Sequence, residues 1–409
     1  MNAAIARFGS ERVRLVGLIS AGHFMSHFYI LVLPPLLPLV RDDMGITFVM
    51  LGTMMTAYSV VNALCQIPMG FLVDRLGGRV VLAAGLGLHG AAFAAVYFTQ
   101  SYWAMLVAYA IAGIGQSVFH PADYAILSAR IDRAQLGRAV SVHTFMGNVG
   151  WGIAPPVVLT LTALVDWRFA FLVVGLIGVA LAVMIYLQAD LLGGPAQAPV
   201  SRPVEGERKK HSSFQDGLKL MRSPALLILF GYFLFSSIAG SGINNITVVS
   251  LMNIYGVNLV GANTALTGYL WGTAAGVLLG GWLVDRFGRP NLIAGGLMAA
   301  SAVCLAALPL GALPLVAVVM LMTLVGAFSG ASAPSRDILV RQAAGPTTVG
   351  VAFGFTSAGF SVAGAVMPPL YGWLLDIGRL DVAFGVMIAG LLIAVVACFL
   401  SRDVSGTRR

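Results

Sequence analysis

Two stretches decide the fold of this 409-residue chain: Gly70-Phe-Leu-Val-Asp-Arg-Leu-Gly-Gly-Arg79 and Gly281-Trp-Leu-Val-Asp-Arg-Phe-Gly-Arg289. They are one motif, repeated 211 residues apart. Three further landmarks recur at offsets of 213 to 215, namely Pro121 as Pro334, Pro155-Pro156 as Pro368-Pro369, and Asp166-Trp-Arg-Phe169 as Asp381-Val-Ala-Phe384. The chain is therefore a duplication of two similar halves.

The composition indicates a protein embedded in lipid. Hydrophobic residues make up 58% of the chain, charged residues only 10%, and the mean hydropathy is +0.90. A membrane span needs roughly 20 apolar residues. The apolar runs predict twelve transmembrane helices, the first of them a span and not a cleaved signal, at 14–39, 47–73, 80–99, 102–129, 138–164, 167–188, 223–251, 261–284, 291–309, 313–340, 348–374 and 381–400.

The positions of the basic residues predict the orientation. Twenty of the 24 Lys and Arg residues lie at the termini or in alternate connections, whereas only Arg41, Arg168 and Arg379 lie in the other connections. Because positive residues stay on the cytoplasmic side, both termini are predicted to be cytoplasmic in a bacterial inner membrane. The net charge of +8 therefore reflects topology, and we expect no nucleic-acid partner.

The chain is predicted to form two bundles of six helices. The segment 189–222 is rich in Pro, Gly, Ser and charge, which is typical of a cytoplasmic linker between bundles at 1–188 and 223–409. Cys65, Cys304 and Cys398 lie singly in apolar runs, so we expect packing residues and no disulfide.

The repeated motif resembles the signature of the major facilitator superfamily, which implies that family's fold of two pseudo-symmetric six-helix bundles. The glycines are expected to allow close helix approach, and the resemblance implies that the acids latch the outward-facing state of the carrier. The alternative is that these charges only fix topology. The predicted gating residues are Gly70, Asp74, Arg75, Arg79, Gly281, Asp285, Arg286 and Arg289.

A second resemblance lies in Gly113-Ile-Gly-Gln-Ser-Val-Phe-His-Pro121, followed by Gly147-Asn148 and by the Pro155-Pro156 pair. These residues resemble the fosmidomycin resistance protein group, which are proton-coupled exporters of the same superfamily. That group tends to carry a carboxylate just after the His-Pro pair, where this chain has Ala122, and an acid near the position of His27.

Ionisable residues inside spans by default mark a transport pathway. His23 and His27 are four residues apart and therefore share one helix face. His27, His120 and Asp123 are predicted to couple protons, since a neutral imidazole titrates near working pH. His89 is predicted to pack in the core, and for His143 packing and function are equally open.

Substrate contacts are predicted in both halves. Arg336 corresponds to Asp123 in the repeat, so the two could pair in the empty carrier until an anionic substrate competes for the guanidinium. The alternatives are structural salt bridges for the charged residues and helix-to-helix hydrogen bonds for the amides. The predicted substrate-binding residues are His23, Tyr29, Asn62, Gln66, Gln116, Asn148, Asn244, Asn245, Arg336 and Asp337.

These observations favour a secondary transporter, with protons as coupling ion, that moves a small, anionic organic solute or drug by alternating access. Export as an antiporter follows from the second resemblance. Uptake of a small organic acid is the alternative, and a membrane receptor or a membrane-embedded enzyme on this scaffold are further ones. No enzyme activity, cofactor or metal is expected. The predicted partners are a small-molecule substrate, protons and the lipid bilayer, with the chain acting as a monomer.

Overall fold

The computed structural model describes residues 2–193, 222–311, 313–344 and 348–405. Within these ranges the regular secondary structure is helical throughout. The α-helices are α1 Asn2–Ile30, α2 Leu37–Met44, α3 Phe48–Leu76, α4 Gly78–Val96, α5 Tyr102–Gln116, α6 Phe119–Arg130, α7 Arg133–Leu164, α8 Trp167–Leu187, α9 Ala189–Leu192, α10 Pro224–Tyr255, α11 Leu259–Phe287, α12 Pro290–Ala307, α13 Leu315–Ala343, α14 Val349–Asp376 and α15 Leu380–Ser405.

Eleven segments of the described chain are long and apolar enough to cross a membrane. The twelfth predicted span corresponds to α11, which has 29 residues and so has sufficient length. Its sequence is rich in Gly and Thr, which lowers its hydropathy below that of the other spans. Several of its glycines pack against the backbone of α13.

Two predicted helices are interrupted in the structure. The first span, predicted as one helix over 14–39, ends at Ile30 and continues through a short 3-10 turn, Pro34–Leu36, into α2. Pro34 and Pro35 lack the backbone N–H groups that a continuous helix would need at those two positions. The fourth predicted span breaks at Ser117 and Val118, just before Pro121, which lacks the N–H that a continuous helix needs at that position.

Local capping chemistry sets the limits of several helices. The side chains of Asp166, Ser223 and Asn258 accept hydrogen bonds from the backbone N–H groups three residues later, and so begin α8, α10 and α11. Gly256 and Gly288, both at φ 62°, end α10 and α11 in the left-handed conformation. The short helix α9 lies at the start of the predicted linker, and residues 194–221 of that linker lie outside the described residues.

The chain forms two compact units, one comprising Met1–Ile46 and Thr53–Val204, the other Thr47–Gly52 and Glu205–Arg409. In the first unit α1 packs on α7, and α4 packs on both α8 and α5. In the second unit α11 packs on α13, while α10 packs on α14 and α15. The segment Thr47–Gly52, which includes the first turn of α3, belongs to the second unit. The predicted bundles at 1–188 and 223–409, joined by the linker 189–222, stay a prediction.

The glycines of the repeated motif do not mark close helix contacts, and that prediction was wrong for Gly70 and Gly281. A Cβ built on either glycine would meet no atom of the described residues within 4 Å. The neighbouring Gly280 is the residue in close contact, because a Cβ there would overlap the backbone of Ala331 in α13. The motif gives the fold correctly, but the glycine that faces another helix is one position earlier in the second half.

Candidate functional site

Four histidines and one aspartate come together in the first unit. They are His23 and His27 on α1, His120 and Asp123 on α6, and His143 on α7, and we call these five residues the histidine cluster. The interruption before α6 places His120 and Asp123 on the first turns of a separate helix. The packing of α1 on α7 and on α6 brings the three helices together.

Asp123 lies between two of these histidines. Its Oδ2 atom is 3.5 Å from His23 Nδ1 and 3.4 Å from His143 Nε2. The Asp123 side chain has no exposed surface, and those of His23 and His143 are 5% and 1% exposed. The two imidazole rings stack with their centroids 3.9 Å apart. The cluster therefore surrounds one buried carboxylate with groups that can each carry a proton.

The remaining members extend the cluster along α1 and α6. The His27 ring lies 4.5 Å from that of His23 and 4.6 Å from the Trp151 ring of α7. The His120 ring lies 5.9 Å from that of His23, and the His120 side chain is exposed. The exposed His120 gives the buried members a neighbour that can exchange protons with water.

Glycines on α7 make this approach possible. A Cβ on Gly147 would lie 2.9 Å from His23 and 3.0 Å from His27, which is closer than such contacts normally are. A Cβ on Gly150 would overlap the backbone of Phe24. Small residues let helix backbones and imidazole rings approach each other closely in membrane bundles.

The electrostatics of the cluster favour a bound proton. An isolated carboxylate is costly to bury, and a neighbouring cation lowers that cost. Protonation of His23 or His143 turns the buried negative charge of Asp123 into a neutral ion pair. Because the groups are close, a bound proton belongs to the set and not to a single residue.

The same geometry has the chemistry of a metal site, although no metal was expected. The ligand-type atoms of His23, Asp123 and His143 lie within 4.8 Å of one another. Imidazole nitrogens and a carboxylate oxygen are common ligands of transition metals. A test of proton binding here consequently needs a metal chelator as a control.

The second unit contains a guanidinium held between aromatic rings. The Arg336 side chain on α13 donates a hydrogen bond of 3.0 Å from Nε to Asp337 Oδ1, and its Nη2 lies 2.9 Å from the same oxygen. Its Cζ lies 4.5 Å from the centroid of Phe233 on α10 and 5.5 Å from that of Phe360 on α14. The arginine is 19% exposed and its carboxylate partner 43%, so ligand can reach both.

The predicted amide residues fall into two groups. Asn148 donates to the backbone of Thr144, and Asn245 donates to the side chain of Ser241, both within their own helices. The amide nitrogens of these two residues therefore bond within their own helices. Three amide oxygens, on Asn62, Gln116 and Asn244, are buried without a partner in the described chain, and Gln66 is exposed.

Tyr29 lies in a different environment from the histidine cluster. Its ring stacks on His89 at 4.1 Å, and its hydroxyl donates a hydrogen bond of 3.2 Å to the Val174 carbonyl oxygen. Tyr29 is 1% exposed and His89 is fully buried. His89 packs in the core as predicted, and in this conformation the predicted substrate contact of Tyr29 would need the ring to move.

The predicted gating charges are mostly exposed. Asp74, Arg75, Asp285, Arg286 and Arg289 have exposed side chains. Arg79 instead donates to the backbone carbonyl oxygens of Tyr186 and Gly193, at the end of the first bundle. The latching role of the two acids stays a prediction.

Sequence comparison connects this architecture with known proteins. The family model described as "Major Facilitator Superfamily" matches residues 19–243 and 234–409. The fosmidomycin resistance protein of Escherichia coli K12 is 24% identical over 370 residues, covering 86% of each chain. The probable L-galactonate transporter of the same strain is 23% identical over 260 residues, covering 60% of this chain and 55% of that protein.

A solved structure agrees with the fold. The crystal structure of a bacterial homologue of the human lysosomal transporter Spinster matches with a TM-score of 0.74 at 15% identity. The match covers 97% of both chains. The predicted fold class and both family resemblances are thereby confirmed, with the described residues of the chain forming an all-helical membrane protein of this architecture.

Proposed function

The chain belongs to the Major Facilitator Superfamily of membrane transporters, whose family model matches it from residue 19 to its end, and from this we propose that it is a proton-coupled secondary transporter. It exports a small, anionic organic solute or drug across a bacterial inner membrane by alternating access. It acts as a monomer with both termini in the cytoplasm, and the proton gradient supplies the coupling energy without a cofactor.

The observation that carries this proposal is the enclosure of Asp123 by His23 and His143. The group formed by a fully buried carboxylate and two imidazoles changes its net charge when one proton binds to it. Such a change of buried charge is the property that a proton-coupled carrier requires. We assign proton coupling to His27, His120 and Asp123, as the sequence predicts. The contacts of His23 and His143 with Asp123 add both to that set.

Arg336 supports an anionic substrate. Phe233 and Phe360 hold the guanidinium in apolar surroundings, and one carboxylate, Asp337, neutralises it. A substrate carboxylate or phosphonate can displace Asp337 because a guanidinium forms paired hydrogen bonds with planar anions. Within the same unit, the unpartnered amide oxygen of Asn244 supplies an acceptor for a polar substrate group.

The test is flux in proteoliposomes with an imposed pH gradient. A thermal-shift screen against small acids, phosphonates and cationic drugs first identifies compounds that bind, and flux is then measured with each of them. We expect replacement of His27 and His120 by Gln to remove the pH dependence of the flux, because glutamine keeps a polar side chain but cannot take up a proton. Persistence of the full pH dependence in the double variant would refute the assignment of proton coupling to His27 and His120.

A metal chelator separates the two readings of the cluster. Wild-type flux is measured with and without the chelator at each pH. The proposal requires that the pH dependence stays the same in both conditions. Loss of flux on chelation would show that the cluster works through a metal ion instead.

Uptake of a small organic acid is the second candidate function. The guanidinium of Arg336, available to an anion, favours it, as does the similarity to a probable L-galactonate transporter. Cells lacking the gene distinguish the two directions. Increased sensitivity to a toxic compound indicates export, and failure to grow on a single organic acid indicates uptake.

A further inference from the structure

The first turn of α3 is held by a carboxylate from a distant part of the chain. Asp376, the last residue of α14, accepts a hydrogen bond of 3.0 Å from the Phe48 N–H through Oδ1 and one of 2.9 Å from the Val49 N–H through Oδ2. The first turn of α3 contains no acidic residue of its own. The carboxylate thus satisfies two N–H groups that a helix start leaves without intrahelical partners.

Close backbone packing accompanies these hydrogen bonds. A Cβ on Gly372 would overlap the Phe48 carbonyl group, and a Cβ on Gly52 would overlap the backbone of Pro368. Leu51 has no exposed surface, and Phe48 is 8% exposed. The segment 47–52 is therefore seated on α14 by two hydrogen bonds and by backbone contact.

The rest of α3 makes its contacts elsewhere. Residues 47–52 belong to the second compact unit, whereas the helix from Thr53 onward belongs to the first. A single continuous helix is thus shared by two units. Any change in which the two units move independently has to bend α3 or release its first turn from Asp376.

We propose that Asp376 is a positioning residue for transport: its carboxylate holds the first turn of α3 in the second unit, and release of these two hydrogen bonds is a step of the transport cycle. The proposal rests on transport by alternating access as the proposed function. The Asp376 side chain is exposed, so water can replace both backbone donors when the turn leaves. The charge of the carboxylate next to a helix N-terminus gives the contact its strength.

The experiment measures how often the turn is released. Leu51→Cys is introduced after the three native cysteines are replaced by alanine, and its reaction with a membrane-impermeant maleimide is followed in cells. We expect Asp376→Asn to speed labelling about fivefold, since loss of the charge weakens the contact by a modest amount. Asp376→Glu, which keeps the charge, should label more slowly than Asp376→Asn.

Asp381→Asn is the matched control, because Asp381 lies five residues further on and pairs with Arg379 instead. It should leave labelling unchanged. Hydrogen–deuterium exchange of peptides covering residues 48–52 checks the same contact in the protein with its native cysteines, and Asp376→Asn should increase exchange there. Equal labelling and exchange in wild type and Asp376→Asn, or equal acceleration by Asn and Glu, would overturn the proposal.

Both measurements are independent of flux. If the protein transports nothing in liposomes but Asp376→Asn still releases the turn, the proposed function fails and the contact stands. If flux is found and the release of the turn is insensitive to Asp376, the proposed function stands and the proposed role of Asp376 fails. If both are found, Asp376→Asn should change the maximal transport rate and leave the half-saturating substrate concentration close to that of wild type.

Discussion

Asp123 is unusual because the groups next to its carboxylate, the imidazoles of His23 and His143, are charged only when they are protonated. Both of its oxygens are buried and neither accepts a hydrogen bond from the described residues. Its neighbours are imidazoles, which are neutral or charged depending on pH, and not arginines, which stay charged. A structural ion pair would be served better by arginine, so the choice of partners favours exchange of a proton.

We expect Asp123→Asn to abolish proton-driven flux while leaving substrate exchange at equal pH intact. Asparagine has nearly the same shape but cannot change charge, so the cycle loses its coupled proton but keeps its packing. Flux driven by a pH gradient should fall at least about tenfold. A tenfold fall in rate corresponds to an increase of about 1.4 kcal/mol in the activation free energy. Counterflow in proteoliposomes without a gradient is the second measurement.

His89→Phe is the control for this experiment. His89 is as buried as Asp123, but its ring packs on Tyr29 and Phe93 and contacts no member of the histidine cluster among the described ring contacts. Phenylalanine suits that aromatic environment. Proton-driven flux should survive in this variant, and its loss would mean that any buried substitution disables the carrier.

The sequence predicts part of this site. Helical spacing puts His23 and His27 on one face, and proximity of His120 to Asp123 follows from their separation by three residues. The contacts of Asp123 with His23 and His143 depend on how α1, α6 and α7 are rotated against each other, which no local pattern specifies. Gly147, four residues after the buried His143, and Gly150 on the same helix carried a usable signal, because small residues in membrane helices indicate close helix approach.

Helices α11 and α13 show why one span is less apolar than the others. A Cβ on Gly272, Gly276 or Gly280 would overlap the backbone of Thr323, Ala327 or Ala331 in turn. Residues four apart lie along one helix face, so these glycines form a continuous surface against α13. Apolar side chains are replaced there by backbone contact, which lowers hydropathy without removing the span from the bundle.

Substitution of two adjacent glycines tests this packing. Gly280→Ala should destabilise the protein by about 1–3 kcal/mol, because the added methyl group overlaps the backbone of Ala331 and helix α13 has to shift. Gly281→Ala should be neutral or slightly stabilising, because its methyl group meets open space and alanine favours a helix. Thermal unfolding of the purified variants in the same detergent measures both effects.

Equal loss of stability in the two variants would contradict the assigned helix orientation. It would also restore the view that the motif glycine at 281 faces a neighbouring helix. The helix limits themselves do not depend on this result, since charges, prolines and caps place most of them within a few residues of the prediction. The two interrupted helices were missed because a proline either breaks a helix or is accommodated in it, as Pro334 is in α13, depending on the neighbouring helices.

At the scale of the whole molecule, the duplication and the charge distribution specify the fold, but they do not identify the substrate. Repeated landmarks at nearly constant offsets require that each half forms the same set of helices, and the family match agrees with that. Substrate recognition depends on a few side chains such as Arg336, whose surroundings come from three different helices, α10, α13 and α14. A pattern read along one helix cannot supply those contacts.

The charge distribution makes a prediction of its own about orientation. The turn at Gly45 should face the outside of the cell, and the turn at Asp132 should face the cytoplasm, since basic residues concentrate in the connections on the latter side. Gly45→Cys and Asp132→Cys, in a background without native cysteines, place a thiol at each exposed position. An impermeant maleimide added to intact cells should label Cys at 45 at least about tenfold faster than Cys at 132, and permeabilised cells should label both at similar rates. The reverse order would show that the protein has the opposite orientation in the membrane. The direction assigned to export would then be reversed as well, because the face of the carrier that meets the cytoplasm defines proton entry and substrate exit.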